Sequence, residues 1–134
     1  MPHVVIEYTD NLRADADIAA LLKKTNALLI EQRTVAGPVF PIGGIRSRAI
    51  ALSEYCVADG SADDAFVHVT VKIGAGRDEA TKKQAFDALF AMIVDHFADL
   101  YARRGLALSM EVIEFSEAGT WKHNNIHARL KARR

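Results

Sequence analysis

Met1-Pro2-His3-Val4-Val5-Ile6-Glu7-Tyr8 is the stretch on which the reading of this chain turns. The run alternates in the manner of a β-strand. Its second residue is small enough for the preceding methionine to be trimmed. Trimming would leave Pro2 with a secondary amine, a proton acceptor that no internal residue can supply. An α-amino group titrates near ~7.7–8.0 in model peptides, and apolar burial or neighbouring cations lower that value. Pro2 is therefore a candidate general base. Equally, a proline in second place often reflects processing alone.

Working outward, Thr9-Asp10-Asn11 makes a turn and a helix is expected from Asp15 to Gln32, where Ile18, Leu21, Leu22, Leu28 and Leu29 fall at helical spacing. Gly37-Pro38 stops it, and Phe40-Pro41-Ile42-Gly43-Gly44 leads into an extended segment from Ile45 to Val57. A third strand runs from Ala65 to Ile73, with Val67, Val69, Val71 and Ile73 on one strongly apolar face. A glycine-rich turn, Gly74-Ala75-Gly76-Arg77, precedes a long helix from Asp78 to Arg104, striped by Phe86, Leu89, Phe90, Ile93, Phe97 and Leu100 and capped by Gly105. A fourth strand runs from Ala107 to Phe115. The order β-α-β, β-α-β is a weak internal repeat. It predicts an α+β fold, a four-stranded mixed sheet with two helices on one face. The other sheet face, carrying Val5 and Phe66, then calls for an oligomer contact. Trp121, the only tryptophan, is read as a subunit anchor.

The chain's 134 residues, half of them hydrophobic, suit a single domain spanning residues 1–134. Its 17 basic and 17 acidic residues cancel, so no net field favours nucleic acid or a membrane. The lone cysteine, Cys56, cannot form an intramolecular disulfide and is expected to be a half-buried structural thiol. With no signal-peptide pattern, the expected setting is the cytoplasm. No metal site is expected: His123 and His127 have i, i+4 spacing but lack the context of a zinc motif. The basic tail Arg129, Lys131, Arg133 and Arg134 reads as a solvated end.

Two further stretches could carry chemistry. Gly74-Ala75-Gly76-Arg77 is too short for a phosphate loop, and a tight turn is the simpler reading. Arg77 would then sit where helix N-terminal amides help it hold an anion. In Gly44-Ile45-Arg46-Ser47-Arg48, Arg46 and Arg48 point to one strand face. Like charges there need anionic company, either a bound carboxylate gripped by a guanidinium fork or, the commoner case, an acidic residue across a subunit interface.

The blocks Met1-Pro2-His3, Phe40-Pro41-Ile42-Gly43-Gly44-Ile45-Arg46-Ser47-Arg48, Asp59-Gly60, Ala65 through Arg77 and Asn124-Asn125-Ile126-His127 carry a resemblance over nearly the whole length. The chain is similar to the 5-(carboxymethyl)-2-hydroxymuconate isomerases of the tautomerase superfamily, which use an N-terminal proline. The resemblance implies a homotrimer with sites at subunit boundaries. It also implies a cofactor-free keto–enol isomerisation in homoprotocatechuate breakdown. Pro2 would be the base, and Arg46 and Arg77 would bind the substrate's carboxylates and stabilise the dienolate. Two other readings are compatible with the residues: a tautomerase for another 2-hydroxydienoate or keto acid, and a ferredoxin-like oligomeric binding module in which Pro2 is inert.

Overall fold

The computed structural model describes residues 1–133. Its strands are β1 (His3–Thr9), β2 (Arg33–Thr34), β3 (Gly37–Pro38), β4 (Arg46–Leu52), β5 (Ala65–Gly74) and β6 (Leu106–Phe115). Its helices are α1 (Ile18–Glu31), α2 (Glu79–His96), α3 (Ala98–Arg103) and α4 (Ile126–Ala132), with single 3-10 turns at Asp10–Leu12, Ile42–Gly44 and Glu117–Gly119. The main sheet has the order β4-β1-β5-β6. β1 pairs parallel with β4 and antiparallel with β5, and β5 pairs parallel with β6. This is the mixed α+β sheet that the strand pattern predicts.

Alternation places Val4, Ile6 and Tyr8 of β1 beside Val67, Val69, Val71 and Ile73 of β5 on the helix-covered face, all buried. Leu21 and Leu29 of α1 and Phe86, Leu89 and Ile93 of α2 close this core from above. Each fully buried aliphatic side chain of this kind contributes about 1.5–3 kcal/mol. On the opposite face, among the described residues, Val5 and Phe66 are only half-buried, and Ile50 and Ile113 are 46% and 45% exposed.

The helices and strands depart from the sequence reading in several places. α1 begins at Ile18 rather than Asp15, because the 3-10 turn at Asp10–Leu12 continues through a bond from the Ala16 N–H to the Leu12 carbonyl. Asp17, at φ 46°, caps the helix by accepting from the Ala20 N–H. After Gln32 turns extended, β2 and β3 form a tight hairpin in place of a loop. β4 ends at Leu52 rather than Val57, because Leu52 faces Thr9, the last residue of its only partner, β1. The long second helix breaks at Phe97, whose backbone (φ −96°, ψ 8°) leaves helical geometry while its ring stays fully buried. Gly105 is not a left-handed cap. Arg104 is already extended there, and a methyl group on Gly105 would collide with the Asp64 carboxylate. Cys56 is exposed rather than half-buried, since it lies in the turn beyond β4. The C-terminal charges Arg129, Lys131 and Arg133 are exposed as expected, but the first two ride on α4 and Arg133 caps its end, and Arg134 lies outside the described residues. Among the described residues, no helix is long and apolar enough to cross a membrane.

Candidate active site

The strand directions explain why distant residues converge. β1 and β4 begin at the same sheet edge at which β5 and β6 end, since His3 is level with both Arg46 and Lys72, and Gly74 with Phe115. Pro2, Arg46, the turn to Arg77 and the chain after Phe115 therefore meet at one edge. Pro2 is buried, and its carbonyl accepts the Arg46 N–H at 3.0 Å.

The half-buried Arg77 is held in place by the backbone. Its Nε and Nη2 donate to the Val39 carbonyl at 3.2 and 3.1 Å, and its Nη1 donates to the Gly74 carbonyl at 3.1 Å. The guanidinium stacks 4.7 Å above the buried Phe40 ring, a cation–π contact. Burial pulls its pKa below the ordinary value, and Glu114 and Glu117 oppose that shift. An arginine remains charged under such conditions. At the start of α2 the Asp78 carboxylate takes the Thr81 N–H at 2.7 Å as the helix cap, so that amide is already engaged.

Arg46 is half-buried, with Nη1 donating to the Gly44 carbonyl at 3.0 Å. Arg46 and Arg48 share the uncovered sheet face, and Arg48 Nη1 lies 3.2 Å from His3 Nδ1. Arginine can only donate, so that His3 nitrogen is the acceptor. Burial lowers the His3 pKa first, followed by the charges of Arg48 and Arg46, which favours the neutral ring.

The terminal amine, here on Met1, has its pKa lowered below the usual value. Burial is the largest cause; the cations of Arg77, Lys122 and Arg46 act in the same direction, and Glu117 opposes them. Pro2, Arg46 and Arg77 are thus brought to one place within a single chain. Lys122 and Glu117, which the sequence reading missed, join them: Lys122 Nζ stands 2.9 Å from Glu117 Oε2. His3, Asn124 and His127 are further neighbours that it did not assign to a site. The Asn124 side chain donates to the Gly43 carbonyl at 2.9 Å, and a methyl group on Gly43 would come within 2.7 Å of His127 Nδ1. Only a glycine fits beneath α4 at that point. Asn124 Oδ1 also accepts the Ile126 N–H, an Asx-type turn into α4 that was the one local signal of this element.

The repeat, the sheet order and the proline that leads into the first strand define a tautomerase fold; a 4-OT symmetric trimer with 18% identity shares it at a TM-score of 0.64 over 90% of this chain and 93% of its own. The family model described as 5-carboxymethyl-2-hydroxymuconate isomerase matches residues 2–130, and the chain belongs to that isomerase family. It is 44% identical over 131 residues to the 5-carboxymethyl-2-hydroxymuconate Delta-isomerase of Escherichia coli, covering 98% of this chain and all of the relative. The crystal structure of a 5-carboxymethyl-2-hydroxymuconate isomerase from Deinococcus radiodurans R1 is 57% identical with a TM-score of 0.87, over 96% of this chain and 93% of its own. A second crystal structure, of a 5-carboxymethyl-2-hydroxymuconate delta-isomerase, is 30% identical with a TM-score of 0.89, over 97% and 93%.

Proposed function

We propose that this protein converts 5-(carboxymethyl)-2-hydroxymuconate into its conjugated 2-oxo isomer without a cofactor, in homoprotocatechuate catabolism, with Pro2 as the base. The observation that carries this reading is the gathering of Arg77, Lys122 and Arg46 around the amine at the start of β1. Removal of Met1 would place the Pro2 amine at this edge. Burial and the three cations would favour its neutral form. The neutral amine takes the proton of the substrate's 2-hydroxyl, the hydroxyl oxygen becomes the ketone, and the double bonds shift. The prolinium then returns that proton to a dienol carbon, and the base is regenerated. Arg46 and Arg77 bind carboxylates and offset negative charge as the dienolate forms. Arg77 suits this role because backbone carbonyls and the Phe40 ring fix it before substrate arrives.

The assembly that fits this reading is a homotrimer, which would cover Ile50, Ile113, Val5 and Phe66 on the sheet face that one chain leaves open. Sedimentation equilibrium reads the subunit number directly, and a monomer at micromolar concentration would overturn it. The unpaired thiol of Cys56 suits a reducing cytoplasm.

The test of function is ultraviolet-monitored conversion of 5-(carboxymethyl)-2-hydroxymuconate by protein whose mass shows Met1 removed. Rapid conversion supports the reading. If the trimmed protein leaves this substrate unchanged but ketonises another 2-hydroxydienoate, the reaction class survives and the substrate does not. If it turns over neither, Pro2 is inert and the fold serves binding.

A further inference from the structure

After β6 ends at Phe115, the chain makes the 3-10 turn Glu117–Gly119, locked by Ser116 Oγ accepting the Ala118 N–H at 3.2 Å and by Thr120 Oγ1 donating to the Ser116 carbonyl at 2.7 Å. That turn folds Lys122 back onto Glu117. Glu117 is seated against Gly74, where a methyl group would come within 2.6 Å of its Oε1, and the Gly74 carbonyl is the one that receives Arg77. Two residues beyond Lys122, Asn124 is tied to Gly43, next to the Gly44 carbonyl that receives Arg46. Lys122 is therefore strung between the anchor of Arg77 and the anchor of Arg46. Its side chain is 37% exposed and that of Glu117 60%, so a ligand can reach the pair.

The substrate of the proposed reaction carries three carboxylates, and two arginines account for two. We infer that Lys122 takes the third, the carboxymethyl carboxylate, by exchanging Glu117 Oε2 for a substrate oxygen, so that the Lys122–Glu117 pair sets the preference for a triacid. This inference rests on the proposed function. An ion pair as exposed as this one is weak, and opening it is readily offset by a fresh carboxylate contact. The released Glu117 stays hydrated at the rim. With Lys122 occupied, each of the three cations facing the amine has its own anion, and the site's charge matches a trianion better than a dianion.

Two readouts on Met1-free protein test this inference. The first is the ratio of kcat/KM for 5-(carboxymethyl)-2-hydroxymuconate to that for 2-hydroxymuconate. The second is calorimetric binding of propane-1,2,3-tricarboxylate against glutarate, which differs by one carboxylate and needs no turnover. Lys122→Gln should lower the kinetic ratio about tenfold and erase the tricarboxylate preference by a similar factor, while Lys122→Arg keeps most of both. Glu117→Gln should tighten tricarboxylate binding a few-fold, because Lys122 loses its resident anion. If Lys122→Gln weakens both acids equally, or neither, the inference falls. If the wild type converts neither substrate yet prefers the tricarboxylate through Lys122, the third-carboxylate site stands and the proposed reaction falls.

Discussion

The backbone N–H of Arg46 donates to the carbonyl of Pro2 across 3.0 Å, so the candidate base and a candidate carboxylate-binding residue are joined by a rung of the sheet. Their separation is set by strand register rather than by a flexible loop. β1 and β4 can shift relative to each other only by breaking the parallel ladder from His3–Arg46 to Thr9–Leu52.

On the proposed mechanism the terminal residue is decisive. Pro2→Ala, trimmed to an N-terminal alanine, should retain the assembly and lose about 10²–10⁴ in kcat, the usual contribution of a positioned base. Protein forced to keep Met1 should be at least as impaired, because an acylated proline nitrogen accepts no proton. Steady-state kinetics paired with intact mass would check both, and full turnover by the Met1-bearing form would remove Pro2 from the mechanism.

The pH dependence has a definite direction. In the proposed mechanism the working base is the neutral amine, so kcat/KM should rise with pH on the acid limb and level off above the amine's pKa. That midpoint should lie below the ~7.7–8.0 of an ordinary terminal amine, since burial and three cations disfavour protonation. Arg77→Ala removes the largest of the cationic contributions, so its limb should move to higher pH. A pH–rate profile for each protein reads the two midpoints, and a shift in the opposite direction would contradict this electrostatic account.

Arg46→Ala and Arg77→Ala should each cost about 1.5–3 kcal/mol in kcat/KM, the usual value of a hydrogen bond to a charged group. Arg77→Lys should recover little. A lysine cannot reproduce the three donations to Val39 and Gly74 or the planar stack on Phe40.

Phe40 links the site to the core: its fully buried ring supports Arg77 and meets Phe86 at a centroid distance of 6.0 Å. Phe40→Ala should cost about 3–5 kcal/mol of stability and also loosen Arg77. Chemical denaturation measures the first effect and KM at permissive temperature the second. Gly43→Ala should act more locally. The new methyl would press on His127, including its backbone nitrogen at 3.0 Å, so α4 must lift. Hydrogen exchange should show faster α4 amides with the sheet unchanged.

Much of this was legible in the chain, for physical reasons that differ by element. Val67, Val69, Val71 and Ile73 announce a strand because a half-covered sheet needs a two-residue period, and all four are buried. The break at Phe97 left no mark: no proline or glycine sits there, and the turn is made so that one aromatic ring stays in the core. Pro2, Arg46 and Arg77 could be picked out because the resemblance weights them, and the sheet edge brings them together. Lys122 and Glu117 could not, because their approach depends on a 3-10 turn closed by Ser116 and Thr120, which are ordinary loop residues in isolation.

β1 is an interior strand of the sheet, and Pro2 is buried at its head while Met1 is half-buried. A peptidase that removes Met1 needs an extended, accessible N-terminus, and the pairing of β1 with β4 and β5 reduces that access. On the proposed mechanism, chains that keep their methionine would stay silent however well they are packed. Specific activity in a preparation would then record the outcome of a race between trimming and folding.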